Sequence, residues 1–417
     1  MRMVGKKLTS VAVAAALGGM ASGAVAGGFA IGTQSGSGTG NAFAGGAAGA
    51  DDASVAWFNP AAMTLLPGKQ VAGALHVLKP SFKFENQGST GAFAAPGTGE
   101  GGDGGDWAFV PNGFFTMAIN PRLSFGFALN APFGLKTEYD PGWRGRFTAI
   151  KSEIKAVNLN PSIAYKISDT VSIGGGVSWQ TIEAELTKQH IALGLTTLSA
   201  DDNQGFGYNL GVLIQASPDT RIGAHYRSAI KYELEGTATF GVAAANAGVK
   251  ADLKVPDSAS FSLFHRLNPQ WELMGDVTWT GWSSVKSLNV ICTTTSIACP
   301  SVGATLESTP FNWKDTWRYG IGTNYKMSPQ TKLRFGVAFD ETPTNDTDRT
   351  PRLPDQDRTW VALGVQYKPS KTGILDVGYA HEFVKDASVN NSQPVGTLVG
   401  TFKVKADIFS LQYSQSF

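Results

Sequence analysis

The residues best placed to do chemistry are cations on what reads as one face of a strand. In Trp313-Lys314-Asp315-Thr316-Trp317-Arg318-Tyr319, strand alternation puts Lys314, Thr316 and Arg318 on one side and Asp315, Trp317 and Tyr319 on the other. If the aromatic side faces lipid, the two cations face inward, where they could hold an anionic group or pair with acids of neighbouring strands. Covalent and metal chemistry find less support. His76, His190, His225, His265 and His381 are scattered without a helical i, i+4 pair, so neither a metal site nor a histidine-based triad is expected. Gly174-Gly175-Gly176 lacks the Lys-Ser/Thr of a phosphate loop and more simply lets another backbone approach closely. Glu341, Asp346 and Asp348 read as a solvated acidic loop. No enzyme activity, cofactor or metal is expected. Cys292 and Cys299 are the only cysteines and lie in one loop-like segment, which in an exported chain reads as a local disulfide.

The elements that must position these residues repeat with a period of two. Six tight polar turns fall at 119–122, 167–170, 217–220, 267–270, 327–330 and 368–371. Longer polar or Gly-rich connections lie near 86–106, 135–150, 191–203, 238–249, 289–312, 341–356 and 387–400. Together they join about fourteen strands, an even number, in the alternation of short turns and long loops found in bacterial outer-membrane barrels. The last strand shows two faces: Phe409, Leu411, Tyr413 and Phe417 alternate with Ser410, Gln412, Ser414 and Ser416. A soluble sandwich would alternate too, but would not need so many long strands, nor aromatics near strand ends such as Trp271, Trp279, Trp282, Trp317 and Tyr319. The fold class is therefore all-β, a transmembrane antiparallel β-barrel of about fourteen strands.

The beginning of the chain sets the compartment. Lys6 and Lys7 precede an apolar run over residues 11–17, and Ala24-Val25-Ala26 has the small-x-small form of a signal-peptidase site, so residues 1–26 read as a cleaved signal peptide. The near-neutral balance, 34 basic against 33 acidic residues, argues against a nucleic-acid partner. Residues 27–66 are rich in Gly, Ala and Ser, and are expected to sit as a hatch inside the barrel formed by 67–417. A flexible leader would share that composition, but would not need Val55, Trp57, Phe58, Met63, Leu65 and Leu66. Asp51 and Asp52 can cap a short helical turn through Trp57, which Asn59-Pro60 then stops. A lumen closed in this way argues against a general porin.

Several stretches resemble the FadL-type long-chain fatty acid transporters of Gram-negative outer membranes. They are ADDASVAWFNPAA, NAPFGLKTEY with WRGRF, LNPSIAY, FNWKDTWRYGIGTNY, and RTPRLPDQDRTW followed by DVGYAHEFVKDA. Their order and spacing cover essentially the whole mature chain. The resemblance implies a fourteen-stranded barrel, an N-terminal hatch, and uptake of hydrophobic molecules that leave through the barrel wall. It places a carboxylate-binding lysine on Lys314, with Arg318 beside it, and a pocket residue on Phe29. No confident counterpart of the family's second basic ligand is found, although Lys188 lies in the right neighbourhood. Asn130-Ala131-Pro132-Phe133-Gly134 interrupts an alternating strand and fits the lateral exit, because proline cannot donate to the ladder and glycine weakens it. Asn59-Pro60-Ala61 matches the hatch motif. The expected function is uptake of long-chain fatty acids by ligand-driven hatch rearrangement and lateral release, the alternative being a channel for aromatic or aliphatic hydrocarbons. The expected partners are that ligand, lipopolysaccharide or other outer-membrane lipid, and the barrel assembly machinery, for which the terminal Phe417 suits the last strand. A monomer in the outer membrane is expected.

Overall fold

The computed structural model describes residues 27–417, residues 201–203 by their backbone alone; the expected signal peptide, 1–26, lies outside the described residues. Twenty strand segments build one antiparallel sheet. They are β1 (Lys69–Asn86), β2 (Ala108–Ala118), β3 (Leu123–Asn130), β4 (Gly134–Glu138), β5 (Lys151–Lys166), β6 (Val171–His190), β7 (Gly194–Ser217), β8 (Thr220–Arg227), β9 (Ile230–Phe240), β10 (Ala247–Val255), β11 (Ser258–Arg266), β12 (Trp271–Thr280), β13 (Ser287–Cys292), β14 (Thr305–Pro310), β15 (Thr316–Lys326), β16 (Thr331–Asp340), β17 (Arg358–Tyr367), β18 (Gly373–Val384), β19 (Ala387–Gln393) and β20 (Gly396–Ser416). Six neighbouring pairs, such as β3/β4 and β14/β15, are single wall strands broken by a short interruption, so the wall has fourteen strands. The last pairs with the first from Gln70↔Ser416 to Asn86↔Gly400, which closes the barrel and leaves no free edge where the chain's two ends meet.

The two faces of the strands decide which side meets the membrane. On β20, Phe409, Leu411 and Tyr413 are about half exposed, while Ser410, Gln412 and Ser414 between them are buried. The apolar row faces out and the polar row faces the lumen, as a barrel in lipid requires. The short turns are closed by their own side chains: Asn120 Oδ1 accepts from the Leu123 amide at 2.9 Å, Asn268 Oδ1 from the Trp271 amide at 2.9 Å, and Ser328 Oγ from the Thr331 amide at 3.0 Å. At the opposite rim the structure corrects the expected loops. Residues 191–203 and 387–400 are mostly strand, because β6 and β7 pair out to His190↔Gly194 and β19 pairs with β20 out to Gln393↔Gly396. Their Thr, Ser and Asn content reads as loop, yet polar strands pair well above a membrane, where both faces are wet. Cys292 and Cys299 are bonded at this rim, with an S–S distance of 2.01 Å.

Residues 27–66 thread the lumen. Gly36–Thr39 forms a helical turn capped by Ser35 Oγ, which accepts from the Gly38 amide at 3.1 Å. The next turn, Val55–Phe58, has no side-chain cap. The expected capping role of Asp51 gives way to stronger partners on the wall: its Oδ2 lies 3.0 Å from Arg334 and 3.3 Å from Lys332. Asp52 instead accepts from the Ser54 amide at 2.9 Å. Small residues let the two backbones touch. A Cβ added at Gly336 would fall 2.1 Å from the Asn41 carbonyl, and one at Gly174 would fall 2.6 Å from the Ala61 nitrogen. The packed core therefore lies inside the barrel, where Val55, Ala61, Met63 and Leu66 meet Ala164 and Leu213 of the wall. Burying a side chain of Met63's size contributes about 1.5–3 kcal/mol.

Candidate functional site

The interruptions in the wall strands supply the site. Between β3 and β4, residues 131–133 leave the ladder and turn to the N-terminal segment. The Ile31 amide donates to the Pro132 carbonyl at 2.8 Å and the Gly134 amide to the Phe29 carbonyl at 2.9 Å, which makes an isolated bridge between Ala30 and Phe133. Proline at 132 cannot donate to a neighbouring strand, so the inward turn costs the wall little. The breaks between β12 and β13 and between β14 and β15 send Trp282 and Trp313 inward. Phe29 sits among these three aromatics, its ring 5.7 Å from Phe133, 5.1 Å from Trp282 and 5.8 Å from Trp313. All four rings are buried. Above Phe29, the Gly27 amide donates to Asp340 Oδ2 at 3.2 Å and the Gly28 amide to Asp355 Oδ2 at 2.9 Å.

The same interruption opens the wall. β2 pairs with β3 only between Gly113↔Leu129 and Ala118↔Ser124, and β4 pairs with β5. Among the described residues no strand pairing joins β4 to the upper half of β2, so the ladder has a gap between them. Its rim is stiffened from inside: Asn130 Nδ2 donates to Gln34 Oε1 at 2.7 Å, and Asn158 Nδ2 donates to Asn130 Oδ1 at 2.9 Å. Above the gap, the connection from β1 to β2 crosses over, with the Glu138 amide donating to the Gly104 carbonyl at 2.9 Å. Asn130, Pro132, Phe133 and Gly134 thus all border this one gap in the ladder.

Beneath the cage lies a cavity of about 220 Å³. Phe43, Trp57 and Phe58 of the N-terminal segment and Trp360 of β17 form its aromatic surface; Arg227, Arg318, Asp276 and hydroxyl side chains of β11, β12 and β15 form its polar one. Arg318 donates to the Ala42 carbonyl and lies 3.5 Å from Asp276. Thr316 is buried and Trp317 and Tyr319 are exposed, so alternation holds from Thr316 onward.

It does not hold for Lys314. β15 begins at Thr316, and Asn312 adopts a left-handed backbone with φ 46°, a conformation asparagine tolerates better than most residues. That turn commits Trp313 to the Phe29 cage and leaves Lys314 exposed on the crossing between β14 and β15, where its amide donates to the Pro343 carbonyl at 3.1 Å. The structure therefore does not bring Lys314 and Arg318 together on one lumenal face. Lys188 is paired with Glu307 at 2.7 Å. Arg227 takes no part in the expected site, yet the run Arg221, Gly223, His225, Arg227 places it on an alternating polar face that the sequence displays.

Asn59 anchors the N-terminal segment to the wall. Its Nδ2 donates to the Ala47 carbonyl at 2.7 Å and to the Val212 carbonyl of β7 at 2.9 Å, while its Oδ1 accepts from the Ala61 amide at 3.0 Å. Pro60 and Ala61 pack against Gly211 and Gly174 of the wall. Lower down, Asp51 provides a second tie. The Lys332 charge, with burial opposing it and Arg334 reinforcing it, holds the Asp51 carboxyl well below the usual carboxylate range. A depressed carboxyl contributes stability above its unfolded value of about 3.9 and loses it only as pH falls through the lower folded value. Backbone protection factors over residues 51–56 are therefore expected to hold between pH 7 and pH 4.5 and to fall at both pH values in Asp51→Asn. Loosening of the unaltered protein over that interval would show that the tie is absent.

Comparison with known proteins agrees with this architecture. The model of the family described as outer membrane protein transport protein (OMPP1/FadL/TodX) matches residues 18–417. Outer membrane protein P1 of Haemophilus influenzae is 28% identical, over 99% of this chain and 100% of its own. The long-chain fatty acid transport protein of Escherichia coli K12 is 26% identical, over 85% of this chain and 87% of its own. The crystal structure of a Pseudomonas aeruginosa FadL homologue superposes with a TM-score of 0.84 at 27% identity, over 94% of this chain and all of that one. A closed fourteen-stranded barrel, a lumen filled by its own N-terminal segment, and a family match over nearly the whole length lead to one conclusion: the chain belongs to the OMPP1/FadL/TodX family of outer-membrane transport proteins and is a transporter of hydrophobic compounds.

Proposed function

We propose that the protein takes up long-chain fatty acids, with residues 27–66 acting as a hatch that rearranges on binding and the gap between β2 and β4 serving as the way out. The observation that carries this reading is the pairing of the Phe29 cage with the cavity beneath it. The cage and the aromatic surface suit an apolar tail, and Arg318 on the polar side suits a carboxylate. Phe29 is held to Phe133 by rings and to Gly134 by backbone, so a tail that displaces its ring also disturbs the inward turn at the rim of the gap. Passage is passive: burial of the tail drives capture, and different contacts in two hatch states drive opening. Lys314, exposed at the outer side, is a first contact for the head group. The E. coli relative named above supports the choice of ligand. Surrounding outer-membrane lipid, the barrel assembly machinery and a single copy as the working unit complete the reading.

Hydrocarbon uptake is the second reading, favoured by the purely aromatic cage and by the existing partnership of Arg318 with Asp276. Equilibrium binding of palmitate against hexadecane and hexadecanol to purified protein, with and without Arg318→Ala and Lys314→Ala, separates the two. Preference for the acid that weakens in the variants supports fatty acid uptake. Equal binding of all three, indifferent to both changes, moves the protein to the hydrocarbon reading.

A further inference from the structure

Arg227 is the cation whose surroundings are least explained by structure alone. Its Nη1 donates to Ser178 Oγ at 3.1 Å, its Nη2 donates to the Trp57 carbonyl at 3.1 Å, and its guanidinium stacks on the Trp57 ring at 3.4 Å. It forms no ion pair among the described residues, although it lines the cavity. The two acids of that cavity are engaged elsewhere: Asp276 with Arg318, and Asp340 with the Gly27 amide. A guanidinium carries five N–H donors in a planar fork. With a serine and one carbonyl as hydrogen-bond acceptors, it keeps room for a bidentate anion in a partly desolvated place, where an uncompensated charge is costly.

Strand register separates this position from Arg318. Arg227 lies opposite Ser258, Ser258 opposite Thr280, and Thr280 opposite Thr316, two residues from Arg318. Three strand spacings put the two backbone positions roughly 14 Å apart along the wall, with a strip of hydroxyl side chains between them. The two guanidinium groups are held by different partners, Arg227 by Ser178 and Trp57 and Arg318 by Ala42 and Asp276, so Arg227 marks a second station.

We propose that Arg227 binds the carboxylate of a long-chain monocarboxylic acid and that, because the same fork holds the Trp57 carbonyl, binding loosens the hatch at its Trp57–Asn59 turn. This rests on the fatty-acid reading and deepens it: ligand and hatch compete for one guanidinium, so occupancy is converted into release without a dedicated moving part.

The test uses the full chain in a detergent that does not compete, with laurate and dodecanol as probes and hydrogen exchange over residues 57–62 as a second readout. In the unaltered protein laurate should bind more tightly than dodecanol and speed exchange in the hatch. In Arg227→Gln the preference should fall roughly tenfold or more, the scale of a lost charged hydrogen bond. Dodecanol binding should hold, hatch exchange should already be fast without ligand, and laurate should add nothing to it. Arg227→Lys keeps the charge but loses the planar fork and should fall between the two. Retention of both the acid preference and the laurate response in Arg227→Gln overturns the role of Arg227 and leaves fatty acid uptake standing. Absence of any acid preference in the unaltered protein overturns both.

Discussion

Gly336→Val should turn a closed barrel into an ion-conducting one. The position lies on β16, paired on one side with Gly322 of β15 and on the other with Ala362 of β17, so the wall there is held by two ladders and cannot yield. The N-terminal segment must move instead. An added Cβ would stand 2.1 Å from both carbonyl atoms of Asn41, where ordinary contact needs well over 3 Å. The neighbours of Asn41 transmit the displacement: Gly40 rests against Gly364, and the Ala42 carbonyl accepts from Arg318. Planar-bilayer recording is expected to show discrete conductance steps in the variant and a closed unaltered protein, with both resisting unfolding in SDS as barrels. Gly113→Val is the control, since an added Cβ there would meet nothing within 4 Å. Unchanged conductance in Gly336→Val would show that the lumen has slack that the contacts do not reveal.

Phe29→Ala should have the second large effect, near the start of the segment that fills the lumen. Removing a buried phenylalanine costs about 3–5 kcal/mol where the site cannot collapse, and the two tryptophans and Phe133 around it sit in short breaks anchored on both sides by paired wall strands. The loss falls on a short segment attached by the Ile31 and Gly134 amides, so local release is expected rather than unfolding of the barrel. Exchange at those two amides should quicken about a hundredfold or more, and apolar ligands should lose the cage that closes over them. Protection equal to the parent protein's would mean that backbone pairing and the Asp340 and Asp355 carboxylates hold residues 27–31 in place without the ring.

How much of this was legible beforehand follows from the physics of each element. The turns were readable because Asn120, Asn268 and Ser328 close them with their own side chains, a local chemistry that distant contacts do not alter. The two faces of the last strand were readable because lipid on one side and a wet, packed interior on the other enforce a strict period of two. Lys314 was misplaced for the converse reason: alternation read over residues 313–319 extends past the start of the strand at Thr316, where an aromatic bound for Phe29 and the left-handed Asn312 before it end the pattern. The length of β6 and β7 was missed because polar residues above a membrane look the same in a loop and in a paired strand. The role of Arg227 depends on an encounter with Trp57 from 170 residues away, and no spacing announces it.

The gap between β2 and β4 has a consequence for the cell's permeability barrier. It lies in the side of the barrel, whereas the residues packed against Gly174, Gly336 and Gly364 fill the lumen. On the proposed route, a molecule leaving by the side would not require that filling to be withdrawn, so cargo and ions would follow different paths through the same protein. A transporter of that kind would work without an energised partner pulling its plug, and a cell could carry many copies without becoming leaky to the polar toxins its outer membrane keeps out.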